Sequence, residues 1–199
     1  VVLWQYSHQR QMDDRNSLMF RRLLTVISLD VFTELVSTCF ILYAPYSFGI
    51  GRMVSNTVFY LFQAILPLIL LYYVCTLCSS RVISTGTVLR MGIPTIVLVF
   101  IILTNPFTEK LFYFDSTGYC HGPWYLLLYV SALLHIAAAA IFVAVHRDAV
   151  SRRNLMALLA VFLLAALGIA AQAVNPAVLT TGFGLSLSIL AMYLTINNP

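Results

Sequence analysis

Ser28-Leu29-Asp30-Val31-Phe32-Thr33-Glu34-Leu35 places two carboxylates four residues apart, on one face of a helix. The surrounding run, Leu23–Ala44, is otherwise apolar enough to cross a bilayer. Acids inside a membrane are costly, so they face a bundle interior or a wet cavity and mark a candidate functional site. This stretch therefore predicts a bundle of helices closing around the Asp30–Glu34 face. The alternative is a structural pair satisfied by neighbouring hydroxyls or amides.

The bulk composition agrees with that reading. The 199 residues are 61% hydrophobic and 9% charged, against roughly 25% charged in a soluble domain. The net charge of +4 comes from basic residues in short loops between apolar runs, a pattern that sets membrane topology and gives no reason to expect a nucleic-acid partner. A single domain, residues 1–199, accommodates the whole pattern.

Outward from the acid pair, the sequence predicts further spans at Val54–Leu77, Val88–Leu103, Pro123–Val145, Leu155–Ala173 and Ala177–Ile196. Val1-Val2-Leu3-Trp4-Gln5-Tyr6 reads as the end of one earlier span, and no cleavable signal peptide is visible. Pro67 is expected to kink its helix. Asn105-Pro106, Asn175-Pro176 and Asn198-Pro199 each read as helix stops, because Asn accepts a left-handed cap and Pro cannot continue a helix.

Topology follows from Lys and Arg. Of the eleven, nine (Arg10, Arg15, Arg21, Arg22, Arg81, Arg90, Arg147, Arg152 and Arg153) fall in one alternate set of loops, and only Arg52 and Lys110 in the other. The positive-inside rule makes the first set cytoplasmic. The expectation is an all-α membrane protein, a seven-transmembrane bundle with six complete spans, the N-terminus outside and the C-terminus cytoplasmic.

Several polar side chains join the acid pair as candidates. Helical rise puts Glu34 and His135 near mid-membrane, Asp30 one turn nearer the cytoplasm, Gln63 in the outer half and Tyr60 one turn further out. Turned inward, they would line one ligand pocket, with Glu34 and His135 a proton-linked pair. The competing readings are a neutral core histidine and, for Gln63, interhelical glue. Asn105 and Phe112 are further candidates, Phe112 as part of an aromatic run that forms either an interface belt or a lid. Cys75-x-x-Cys78 has a redox or metal spacing but reads as two buried thiols. Cys120-His121 beside Asp115 is a weaker metal candidate that lacks an evident fourth ligand. No Gly-rich phosphate loop, G-x-S-x-G or H-E-x-x-H occurs, so no catalytic residue is assigned.

Leu103-Thr104-Asn105-Pro106 before an aromatic outer loop, with the acid in the second helix, resembles the seven-helix N-terminal sensor region of bacterial histidine kinases and related receptors. The tail Ala191-Met192-Tyr193-Leu194-Thr195-Ile196-Asn197-Asn198-Pro199 is similar to the join that leads into GGDEF domains, which make cyclic di-GMP. The resemblance implies a receptor in the bacterial inner membrane that binds a small apolar or amphiphilic ligand and controls a cytoplasmic output domain. It favours a diguanylate cyclase, with a histidine kinase as the alternative. This chain then needs no cofactor; GTP and Mg belong to the output domain, and a homodimer is expected. A small transporter or proton-conducting bundle, with Asp30, Glu34 and His135 as a relay, is the reading from another class, and a purely structural anchor is a third.

Overall fold

The computed structural model describes residues 15–44, 48–78, 84–116 and 118–174. Among the described residues five α-helices carry the fold: α1 (Arg15–Tyr43), α2 (Gly49–Cys78), α3 (Thr85–Thr108), α4 (Leu126–Val145) and α5 (Arg152–Val174). All five are long and apolar enough to cross a membrane. A two-stranded antiparallel hairpin, β1 (Phe112–Asp115) and β2 (Gly118–His121), joins α3 to α4. The expected spans at Val1–Tyr6 and Ala177–Ile196 lie outside the described residues, as do the turns at Asn175-Pro176 and Asn198-Pro199.

Four of these five helices are longer than the hydropathy runs that announced them; α4 is shorter, beginning at Leu126 where the expected span began at Pro123. α1 takes in the basic flank from Arg15, and α2 starts at Gly49, inside the expected loop Pro45–Arg52. The largest correction concerns α3, expected to be short and to stop at Asn105-Pro106. It spans 24 residues, and both Pro94 and Pro106 lie within it. Pro106 removes one N–H, but the helix ends only when Glu109 turns left-handed (φ 53°) and donates its N–H to the Asn105 carbonyl. At the other end, Ser84 caps the helix by accepting from Thr87 N–H.

α2 is the hub. It packs along α1, α4 and α3, and α4 in turn carries α5. One cluster joins α1, α2, α4 and α5 through Phe20, Leu23, Tyr73, Val74, Ala139 and Leu158. A second joins the start of α2 to α3, α4 and the hairpin through Phe59, Tyr60, Ile102, Leu111 and Phe112. Outward faces are apolar too: Phe32 and Leu35 on α1, Phe100 on α3, Leu134 on α4 and Leu163 on α5 are all exposed. The buried set meanwhile holds Asp30, Glu34, Asn56, Asn105 and His135. Polar groups inside and large apolar groups outside suit a hydrocarbon solvent.

The two cations of the minority loop set have local work. Arg52 donates Nε to the Phe40 carbonyl at 3.3 Å and Nη2 to the Ala44 carbonyl, tying the last turn of α1 to α2. Lys110 stands 5.7 Å over the Trp124 ring.

The connection from α3 to α4 is tightly built. Gly122 N–H bonds the Leu111 carbonyl at 2.8 Å and Trp124 N–H bonds that of Lys110 at 2.8 Å. A Cβ at Gly122 would collide with the Lys110 carbonyl and the Glu109 oxygen, backbone atoms that cannot swing aside. Gly122→Ala is expected to destabilise the bundle by about 2 kcal/mol, in the range for overpacking, and to lower its thermal midpoint; Gly86→Ala, at a position with open space, is the control.

Candidate functional site

The sequence candidates divide into three groups in space. Asp30 and Glu34 lie on the buried stripe of α1 that also carries Phe20, Leu23, Ile27 and Ser37, at 1% and 6% exposure. α2 runs antiparallel beside it, in a register marked by the Phe20–Tyr73 ring contact at 5.8 Å and by Arg52 against Phe40. Counting from those anchors at the helical rise sets Gln63 level with Asp30 and Phe59 level with Glu34. The structure thus brings Asp30, Glu34 and Gln63 to neighbouring depths on one helix pair. Among the described residues, Asp30 Oδ1, Glu34 Oε1 and Gln63 Oε1 are buried atoms that find no hydrogen-bond partner.

His135 belongs elsewhere. Its Nδ1 lies 2.7 Å from the Ser131 carbonyl, which only accepts, so the ring proton sits on Nδ1. Nε2 shares a hydrogen bond with the Thr95 hydroxyl at 3.2 Å. Both ring nitrogens are used in the seam between α3 and α4, and the expected pairing of His135 with Glu34 is replaced by this one. The helical period explains the change: the ring shares a face with Ser131, one turn earlier, and that face meets α3.

Tyr60, Asn105 and Phe112 form the third group, at the hairpin end of the bundle. Asn105 Oδ1 accepts from Leu111 N–H at 2.7 Å and Phe112 N–H at 3.4 Å, while its Nδ2 donates to the Phe112 carbonyl at 2.9 Å. One side chain thereby ties α3 to β1. The Phe112 ring, fully buried, packs on Tyr60 at 5.2 Å and Tyr119 at 6.1 Å. Tyr60 and Tyr119 share a hydrogen bond through their hydroxyls, and burial pushes the Tyr119 phenol up to about 12. Phe112 is therefore a packed plug between hairpin and bundle, in place of either a lipid-facing belt or a free lid.

From this plug an aromatic chain descends: Tyr119 to His121 at 5.0 Å, His121 to Tyr125 at 4.7 Å and Tyr125 to Tyr129 at 6.1 Å. Cys120 faces away from His121, as alternation along a strand requires, and its thiol donates to Asp115 Oδ2 at 3.4 Å. Among the described residues no three His, Cys, Asp or Glu side chains are grouped to hold a metal. Cys75 and Cys78 are free, buried thiols.

The chain ends at a cavity that the sequence did not reveal. About 50 Å³ lies between α2, α4 and α5, bounded by Gln63, Pro67, Leu70, Tyr129, Ala132 and Ala165 among others. Gln63 alone of the sequence candidates lines it. Small side chains face the space, with Pro67 on α2 and Ala132 and Ala165 on α4 and α5. Such a gap depends on which faces meet, so the only sequence signal was Pro67 one turn after Gln63.

Two outcomes follow. Thr95→Val leaves His135 Nε2 buried and unpaired, so it should cost about 1–3 kcal/mol in thermal unfolding, and Thr95→Ser should recover most of that. Burial holds the His121 imidazole below its usual range. The unfolded chain then binds the proton more readily, so the contribution is intact at about pH 8 and lost as the pH falls through the ordinary imidazole value of about 6.5. Melting curves of the wild type should drop more between those conditions than curves of His121→Phe.

No curated protein and no solved structure matches the chain. The sequence model of the N-terminal 7TM region of histidine kinases, however, matches residues 4–198, nearly the whole length. This multi-pass membrane chain belongs to the family of N-terminal 7TM regions of histidine kinases.

Proposed function

We propose that the chain is the sensing part of a membrane histidine kinase, which binds a small apolar or amphiphilic molecule in the cavity between α2, α4 and α5. The observation that carries this reading is the cavity itself, walled by apolar side chains at mid-bundle with Gln63 as its polar marker. Pro67 supports it, because a helix that lacks one internal hydrogen bond bends at low cost. A ligand acts only by preferring one of two packings. Filling the space between α2 and α5 shifts α5, and the shift passes to the cytoplasmic kinase. Asp30 and Glu34 contribute to the same interior; His135, Tyr60, Asn105 and Phe112 hold the walls.

Seven spans, an outer N-terminus and a cytoplasmic C-terminus in a bacterial inner membrane complete the proposal, supported by the nine-to-two division of Lys and Arg. A homodimer places two output domains side by side. The family match favours a kinase over the diguanylate cyclase suggested by the tail, whose residues lie outside those described.

The test uses the full-length gene product in nanodiscs, with ATP and a panel of small metabolites and lipids. A compound should change histidine phosphorylation in the wild type and have no effect on Ala165→Leu, which fills the cavity. Absence of ATP-dependent phosphorylation, or an equal response in the filled variant, overturns the proposal.

A further inference from the structure

A groove lies on the other side of α2 from the cavity. α1 and α3 both pack along α2, and no comparable packing joins α1 to α3. α2 is therefore the floor of a trough whose walls are the other two helices. The trough measures about 260 Å³, against about 50 Å³ for the cavity beside Gln63. Leu68 and Ile69 line it from α2 and Val88 and Met91 from α3; Arg22 of α1 and Tyr72 of α2 are its polar residues. The two spaces share no residue: Leu66, Pro67 and Leu70 face the cavity, while Leu68, Ile69 and Tyr72 face the groove. The apolar lining is only half-buried, and the neighbouring Leu89 and Ile93 of α3 are exposed, so the groove opens toward hydrocarbon.

Its charge sits at one end. Arg22 immediately precedes the apolar run Leu23–Ala44, which sets it at the boundary between hydrocarbon and head groups. The Phe20–Tyr73 ring contact puts Tyr72 at the depth of the same turn. Among the described residues Arg22 has no ion pair; the pair found there joins Arg147 to Asp148. Asp30, the next acid along α1, is about 12 Å deeper by helical rise. A guanidinium offers five donors in a planar fork and no acceptor. The groove thus asks for an anion that carries its own hydrocarbon.

We infer that the groove between α1 and α3 holds an anionic phospholipid. One acyl chain lies along Leu68, Ile69, Val88 and Met91. The phosphate accepts from the Arg22 fork, with the Tyr72 hydroxyl as a second donor. Basic pockets between transmembrane helices hold anionic head groups in this way. A zwitterionic lipid brings a cation of its own beside the phosphate, which weakens its hold on Arg22. This lipid is a resident of the fold and is separate from any signal bound in the cavity, so the inference does not depend on the sensor reading.

The experiment measures thermal unfolding of the chain in nanodiscs of phosphatidylcholine alone and of phosphatidylcholine mixed with phosphatidylglycerol. Phosphatidylglycerol should raise the wild-type midpoint by about 2–4 °C or more. Arg22→Gln should lose most of that gain. Arg152→Gln removes an exposed charge of the same loop set, outside the groove, and should keep it. Val88→Phe fills the groove and should lose the gain with every charge in place; should it not fold, Met91→Phe fills the same wall. No gain in the wild type, equal losses in Arg22→Gln and Arg152→Gln, or a full gain in the filled variant overturns the inference. Inorganic phosphate added to the phosphatidylcholine discs should leave the midpoint unmoved. If it matches phosphatidylglycerol, Arg22 holds a free anion and the lipid assignment falls.

Discussion

A hydrocarbon solvent offers no hydrogen bonds, and the placement of nearly every polar side chain in this protein follows from that constraint. Each buried donor or acceptor must find a partner inside the bundle. Most take the nearest one: Thr57, Thr76 and Asn56 bond carbonyls three or four residues earlier on their own helix. His135 does the same through Nδ1 and uses Nε2 to fasten α4 to α3. Asn105 satisfies three backbone groups of the hairpin at once. Against that thrift, the unpartnered oxygens of Asp30, Glu34 and Gln63 stand out, and they stand on one helix pair.

α2 turns this chemistry into architecture. Its hairpin end is held by stacked rings and Asn105, with the Arg52 clamp on α1; its far half is held by aliphatic packing against α1, α4 and α5. Between them Pro67 lies within the continuous helix, beside the cavity. The aromatic chain through His121 and Tyr125 to Tyr129 links the hairpin to the same cavity.

Much of this was legible in the chain. A charged content of 9% and the spacing of apolar runs establish a multi-pass membrane protein, because bilayer thickness sets span length and hydrocarbon tolerates few charges. The acid pair was legible as buried because hydrocarbon will not hold carboxylates, and Thr104-Asn105-Pro106 pointed to the histidine kinase sensors to which the chain belongs. Helix ends were read less well. Asn105-Pro106 looked like a stop, yet α3 runs on to Thr108, since capping depends on the left-handed turn at Glu109 and on what the Asn105 side chain holds.

The solvent and the burial of the acid pair are properties of composition and period, and the sequence by itself determined them. Which polar groups meet was decided only in three dimensions. A four-residue spacing puts Asp30 and Glu34 on one face, but the antiparallel register of α2 sets Gln63 at their level. His135 shares their depth by count, yet the rotation of α4 about its axis turns it to Thr95 on α3. The cavity exists because Pro67, Ala132 and Ala165 from three helices leave the same space unfilled. Depth is a sum along the chain; contact depends on helix rotation and register, which the packing of neighbouring faces alone settles.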